Sequence, residues 1–182
     1  MHTLDVTLRE RSGASLLSLP SATIAVPRIR LLSSYDRLES AGIALRWVRQ
    51  ATPVRTAEPE VWSILERLLD DLDQPTPPAA PTALLVVAGL LLLQALGYAI
   101  ELDRCVSCGR PCPAERSAHV DAARGGLVCR RCGGTGLTLT GPARARLKEA
   151  SRGVPALEPE DLQVAVELVE TGLLAHANVR SD

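Results

Sequence analysis

Cys105-Val106-Ser107-Cys108-Gly109 and, with twenty residues between Cys108 and Cys129, Cys129-Arg130-Arg131-Cys132-Gly133 decide how the middle of this 182-residue chain folds. A Cys-x-x-Cys pair clasps a metal ion on one tight turn, and two such pairs complete a tetrahedron of thiolates. The spacing therefore predicts a structural zinc loop over 104–134, with Cys105, Cys108, Cys129 and Cys132 as ligands. Closed four-cysteine coordination leaves no position for water, so the metal would brace the loop and perform no reaction. The plainer alternative is a compact loop carrying unpaired thiols. Cys108 and Cys112 also form a Cys-x-x-x-Cys pair, so a second ligand set stands beside the first. Glycine follows both Cys108 and Cys132, giving the two clasps the same exit where a positive φ is tolerated, and this favours Cys108.

Other cysteine chemistries fit less well. A redox Cys-x-x-Cys belongs near a βαβ pattern, and none is visible. The opening residues carry charges early and no apolar core of a secretion signal, so a reducing cytosol is expected and disulfides are not. In a zinc deaminase the histidine is followed by x-Glu, whereas Val120 and Asp121 follow His119. His2, His119 and His176 are scattered, and no nucleophile triad or carboxylate pair stands out, so the chain is not expected to be an enzyme.

A net charge of −1 hides strong local asymmetry. Residues 104–152 hold ten basic residues against three acids, a net +7, while the flanking segments are acidic. Four thiolates around a divalent ion contribute −2, leaving about +5. Candidates for backbone phosphate are Arg104, Arg110, Arg116, Arg124, Arg130 and Arg131 in the loop, with Arg144, Arg146 and Lys148 just beyond it. Each taken singly reads as an ordinary solvated charge, and only the cluster rises above that. The aromatic complement is Tyr35, Trp47, Trp62 and Tyr98, with no Phe. Nucleic-acid contact would therefore be mainly to the backbone rather than to stacked bases.

The rest of the chain reads as mainly α. Residues 4–10 alternate as one strand, and 11–33, with Gly13, Pro20 and Pro27, read as irregular. Ser34 caps a helix with Tyr35, Leu38, Ala41, Leu45 and Val48 on one face, ended by Pro53. A second opens near Pro59 and aligns Val61, Leu65, Leu68 and Leu72. Trp47 and Trp62 are both expected in the core. The four prolines between Asp73 and Pro81 make an extended spacer. Ala83–Ile100, interrupted only by Gln94, is apolar enough to suggest a membrane span. Gly97 stops it after about fifteen helical residues, or about 22 Å, short of the ~30 Å hydrocarbon core. It reads instead as the buried centre of a bundle. Thr140-Gly141-Pro142 starts a short helix ending at Ala150, and Pro159 starts a last one with Leu162, Val166, Val169 and Leu173 inward. The organisation expected is an N-terminal segment, 1–33, followed by a helical domain, 34–182.

The run from Gln94 through Leu96-Gly97, Cys105-Val-Ser-Cys108-Gly109 and then Gly125-Gly-Leu-Val-Cys129-Arg-Arg-Cys132 resembles the RecO recombination mediators. In that family a helical C-terminal domain carries a hydrophobic helix ending in Leu-Gly, a Cys-x-x-Cys-Gly clasp, and Gly-Gly-x-x-Cys-x-x-Cys. Leu4 to Glu10 is similar to the last strand of the family's N-terminal OB-type barrel, Tyr35 to Leu45 to the helix after it, and Leu173 to His176 to its C-terminal helix. The specific part is 94–132, and the helices are generic. The resemblance implies a mainly α helical domain with an inserted four-cysteine zinc loop, preceded by a residual strand of an OB-type barrel, the rest of the barrel being missing.

It also implies a role in DNA repair and homologous recombination through the RecF pathway: binding and annealing single- and double-stranded DNA and recruiting RecR-like and single-strand-binding proteins. The setting would be the bacterial cytoplasm and nucleoid, away from membranes. The competing expectation is a protein–protein adaptor, or a truncated remnant of the family, without DNA affinity.

Overall fold

A computed structural model describes residues 1–10, 16–53 and 56–177, with Ala177 described in its backbone alone. Two strands, β1 (Thr3–Arg9) and β2 (Ser18–Val26), pair antiparallel. β2 lies within the segment expected to be irregular, so the lone strand of the sequence reading is in fact half of a hairpin; residues 11–15 lie outside the described residues. Pro20 obscured β2, yet a strand paired on one side tolerates proline because its other edge needs no amide donor. Leu4, Val6 and Leu8 alternate onto one face of the ribbon with Ile24, the partner of Leu4, and all four side chains are exposed. The buried Arg28 fastens the ribbon's base to the helices: Nε donates to Asp70 Oδ1 and Nη1 to Thr3 Oγ1, both at 2.7 Å.

The helices follow: α1 (Tyr35–Ala51), α2 (Pro59–Asp73) and α3 (Pro81–Ala95). Ser34 caps α1 as expected, its hydroxyl accepting from the Arg37 N–H. The buried face of α1 is Ser40, Ala41, Ala44, Trp47 and Ala51; of the expected line Ala41 is buried and Val48 half-buried, Trp47 is in the core as expected, and Tyr35 is 74 % exposed. Small residues let α1 approach its neighbours closely, which displaces the bulkier Leu38 and Leu45 to the margin. In α2 the expected Val61, Leu65, Leu68 and Leu72 are all buried. Trp62 is not: it is 52 % exposed, because one residue beyond Val61 turns it about 100° from that stripe.

The run Ala83–Leu90 of α3 is buried without a break, with Leu92 and Leu93 beyond it, and the helix packs on both α1 and α2. No described helix is long and apolar enough to cross a membrane. Gly97, at φ +85°, terminates the α3 segment: its N–H bonds Gln94 O at 2.9 Å and the Tyr98 N–H bonds Leu93 O at 2.7 Å, a closure that needs the left-handed conformation.

The chain then leaves the bundle as a loop built on a small antiparallel sheet. Its strands, β3 (Ala118–Asp121), β4 (Gly126–Leu127) and β5 (Leu137–Leu139), lie in the order β4-β3-β5. α4 (Gly141–Ala150) and α5 (Pro159–Ala177) complete the fold, and α5 packs against both α1 and α3. Val169 and Leu173 are buried as expected, whereas Leu162 and Val166 are half-buried, flanking the true stripe through Ala165 and Leu168. Helices and short helical turns make up about half the chain, and the other named elements among the described residues are the strands of two antiparallel sheets.

Candidate metal centre

The sheet holds the two cysteine turns against each other. Residue 101 docks beside β4: the Glu101 N–H bonds Gly125 O, and the Leu127 N–H returns to Glu101 O, both at 2.9 Å. Only glycine fits at 126, since a Cβ there would lie 2.4 Å from Glu101 O. From this anchor the chain enters the first turn, where the Gly109 N–H bonds Cys105 O at 2.8 Å. The second turn is a short helical turn, Arg130–Cys132, following directly on β4 and Val128. Gly109 and Gly133 have φ of +71° and +82°, so both exits use the left-handed region the Cys-Gly pairs suggested.

The four sulfurs of Cys105, Cys108, Cys129 and Cys132 all lie within 4.8 Å of one another. The Cys108 and Cys129 sulfurs are 3.8 Å apart. A regular tetrahedron with metal–sulfur bonds of about 2.3 Å has edges of about 3.8 Å, so the donor set has the size of a tetrahedral thiolate site. The Cys129 N–H donates to Cys105 Sγ at 3.3 Å, and this bond is the main reason the Cys105 thiol is pulled down to about 6. Cys129 is also lowered, chiefly by the Cys132 N–H. Cys132 bears the opposite load: hydrogen bonding with the Cys129 sulfur, together with the other sulfurs, pushes it up to about 12. Crowded thiolates resist full ionisation together, and a divalent cation between them is what relieves that repulsion.

Cys112 stands apart from this set. Its sulfur accepts from Arg144 Nη1, so the alternative ligand set is not the one assembled. Arg144 was read from the sequence as a surface cation, but it is 3 % exposed and its Nη2 is directed at the carbonyl oxygens of Cys112, Pro113 and Ala114. The available signal was its spacing of three residues from the buried Leu147 on the same helix. Arg146 pairs with Asp161 (Nε to Oδ2, 2.5 Å) and Lys148 with Asp103 (Nζ to Oδ1, 2.6 Å).

Arg124 also acts within the loop, through a role the sequence did not suggest. Its Nη2 donates to Ser107 Oγ at 2.6 Å and its Nη1 to Cys132 O at 3.4 Å, bridging the two turns. Arg104 lies 3.7 Å from Glu101. Arg110, Arg116, Arg130 and Arg131 are exposed and form no ion pair among the described residues. All four line one cleft of about 550 Å³ beside Cys105 and Cys129.

A family model described as "Recombination protein O C terminal" matches residues 32–178, the stretch that holds the helices and the cysteine turns. The chain belongs to the RecO family. Among its relatives is the DNA repair protein RecO of Anaeromyxobacter sp. (strain K), 33 % identical over 164 residues, covering 86 % of this chain and 62 % of the relative. The protein of the same name from Geobacter metallireducens is 28 % identical over 177 residues, covering 95 % of this chain and 70 % of the relative. The chain thus spans about three-fifths of the length of the Anaeromyxobacter RecO protein.

Proposed function

We propose that this RecO-family chain acts in DNA repair and homologous recombination, gripping DNA backbone phosphates through a cysteine-clasped, arginine-bearing loop. The single observation that carries this reading is the set of four exposed arginines, Arg110, Arg116, Arg130 and Arg131, around one cleft and without a carboxylate partner among the described residues. Arginine's planar fork suits bidentate contact with phosphate. The ion assigned to the loop is Zn²⁺, held by Cys105, Cys108, Cys129 and Cys132. Its chemistry here is charge neutralisation and cross-linking of two turns, which keeps the arginines on a rigid surface. Arg104, 3.7 Å from Glu101, and Arg124, which bonds Ser107 and Cys132 O, are secondary candidates for phosphate. Arg144 and Lys148 brace the loop and its entry from α4, Arg146 ties α4 to α5, and none of the three is assigned to phosphate.

Single-stranded DNA is the first ligand to test, with double-stranded DNA beside it. Family membership adds RecR-like and single-strand-binding proteins as proposed partners. The test is fluorescence anisotropy of a labelled oligonucleotide across a salt titration. Each engaged arginine contributes about 0.7 to the log–log slope on single strands. Replacing Arg130 and Arg131 by alanine should lower the slope by about 1.4. A slope identical to the parent's would remove these residues from the interface.

A second reading, an adaptor without DNA affinity, draws support from the exposed apolar face of the β1–β2 ribbon, since patches of that kind commonly mark protein contacts. Partner binding in the absence of any salt-sensitive DNA binding would select it.

A further inference from the structure

The cleft beside the cysteine turns has a floor as well as a charged rim. Pro111, Pro113, Ala118, Leu127 and Val128 line it beside Ser117 and Thr138, so the arginines border a surface that is apolar in its larger part. One planar ring lines it: the half-buried imidazole of His119, whose Nδ1 is within 3.1 Å of Thr138 Oγ1. A hydrogen bond at that position fixes the plane of the ring. At about 550 Å³ the cleft has the size of small-ligand pockets, far larger than a phosphate group alone requires.

We propose that this cleft accepts one unpaired nucleobase of single-stranded DNA. The base lies on the apolar floor against His119, and its neighbouring phosphates are held by Arg116, Arg130 and Arg131. The inference rests on the DNA-binding reading above and deepens it, from contact with phosphate to capture of a base. Unpaired bases are recognised by stacking on aromatic rings, histidine included, or on guanidinium planes, and both kinds of surface line this cleft. Electrostatics also favour an anionic ligand. Four thiolates with a divalent ion contribute −2 at one wall, and four arginines contribute +4, leaving +2. A base within a duplex cannot enter without unstacking, so the cleft would favour single strands.

The test compares the full chain's affinity for a short oligothymidylate with that for an abasic oligomer of equal length and phosphate count. The expected result is about tenfold tighter binding of the oligothymidylate. His119→Ala should abolish that ratio while leaving the affinity for the abasic oligomer and the metal content unchanged. Thr138→Val, which only frees the ring, should reduce the ratio and serves if His119→Ala does not fold.

Equal affinity of the parent chain for both oligomers would overturn the base site while leaving phosphate binding in place. Binding of neither oligomer would sink the DNA reading and the base site together. A ratio that survives both substitutions would place the base elsewhere and overturn the assignment to this cleft. Displacement of the oligothymidylate by an acidic peptide with an apolar end, at a lower concentration than by unlabelled oligothymidylate, would make the cleft a peptide seat and overturn the proposal.

Discussion

The guanidinium of Arg144 donates to the sulfur of Cys112, joining α4 to the segment that links the first cysteine turn to the sheet. The contact does two things. It removes Cys112 from the ligand set, and it gives the carbonyl oxygens of residues 112–114 a charged donor. The start of α4 is close enough to this segment that a Cβ at Gly141 would lie 2.5 Å from Ala114 O.

Arg144→Ala is therefore expected to destabilise the chain by about 2–3 kcal/mol, since hydrogen bonds to charged groups are among the stronger ones and several acceptors lose their donor together. Urea unfolding monitored by circular dichroism measures this. A loss below about 0.5 kcal/mol would mean that water replaces the guanidinium at no cost.

The two cysteines that follow Cys105 should separate cleanly in metal content. Cys108→Ser removes one corner of the tetrahedron, and bound zinc should fall well below one equivalent after dialysis against a mild chelator. Cys112→Ser should retain the parent's stoichiometry. Elemental analysis of both variants decides it, and the reverse pattern would assign Cys112 as the ligand.

Two helical glycines should respond to alanine with opposite signs. Gly42 in α1 has open space where a Cβ would go, so Gly42→Ala should stabilise by about 0.5–1 kcal/mol through helix propensity. Gly89 in α3 faces Val169 Cγ1 at 2.4 Å and Trp47 Cζ3 at 2.7 Å from the same built position. There, overpacking of about 1–3 kcal/mol outweighs the propensity gain, and Gly89→Ala should destabilise. A thermal midpoint that rises in Gly89→Ala would contradict the packing of α3 on α1 and α5, and one that falls in Gly42→Ala would contradict the open space at that position.

Acid stability should depend on Asp161. Its carboxyl is held below the ordinary carboxylate range, first by the hydrogen bond from Arg146 and then by the Glu158 N–H, against the opposing effect of burial. A depressed folded value means the stabilisation is complete above the unfolded pKa of about 3.9 and disappears as pH falls through the folded value. Asp161→Asn should lower stability at neutral pH and flatten its decline as pH falls from about 5 through the depressed folded value. Denaturant midpoints across that range would show parallel curves for parent and variant if the pair contributes nothing.

Much of the architecture was legible in the chain. Caps and breakers are local, so Ser34, Pro59, Gly97 and Thr140 mark real helix boundaries. The cysteine spacing is equally local: two Cys-x-x-Cys turns can close on one ion from any scaffold that brings them together, and their sulfurs are indeed assembled. The face of α1 was harder to read, because the hydrophobic line through Leu38 and Leu45 competes with a line of alanines that only helix–helix contact makes preferable. β2 was missed because a strand paired on one edge needs no strict alternation and can admit Pro20.

By itself, then, the sequence determined several helix boundaries, the buried central helix and the two cysteine turns whose four sulfurs lie together. Each of these follows from backbone conformation or residue spacing over a few neighbours. Tertiary structure alone decided which charges remain available. Arg144, Arg146 and Lys148 look equivalent to Arg130 and Arg131 in the chain, yet folding brings Cys112, Asp161 and Asp103 against the first three and leaves the last two exposed around a cleft. A cation's role depends on what long-range contacts set beside it, and no local pattern in the chain encodes those contacts.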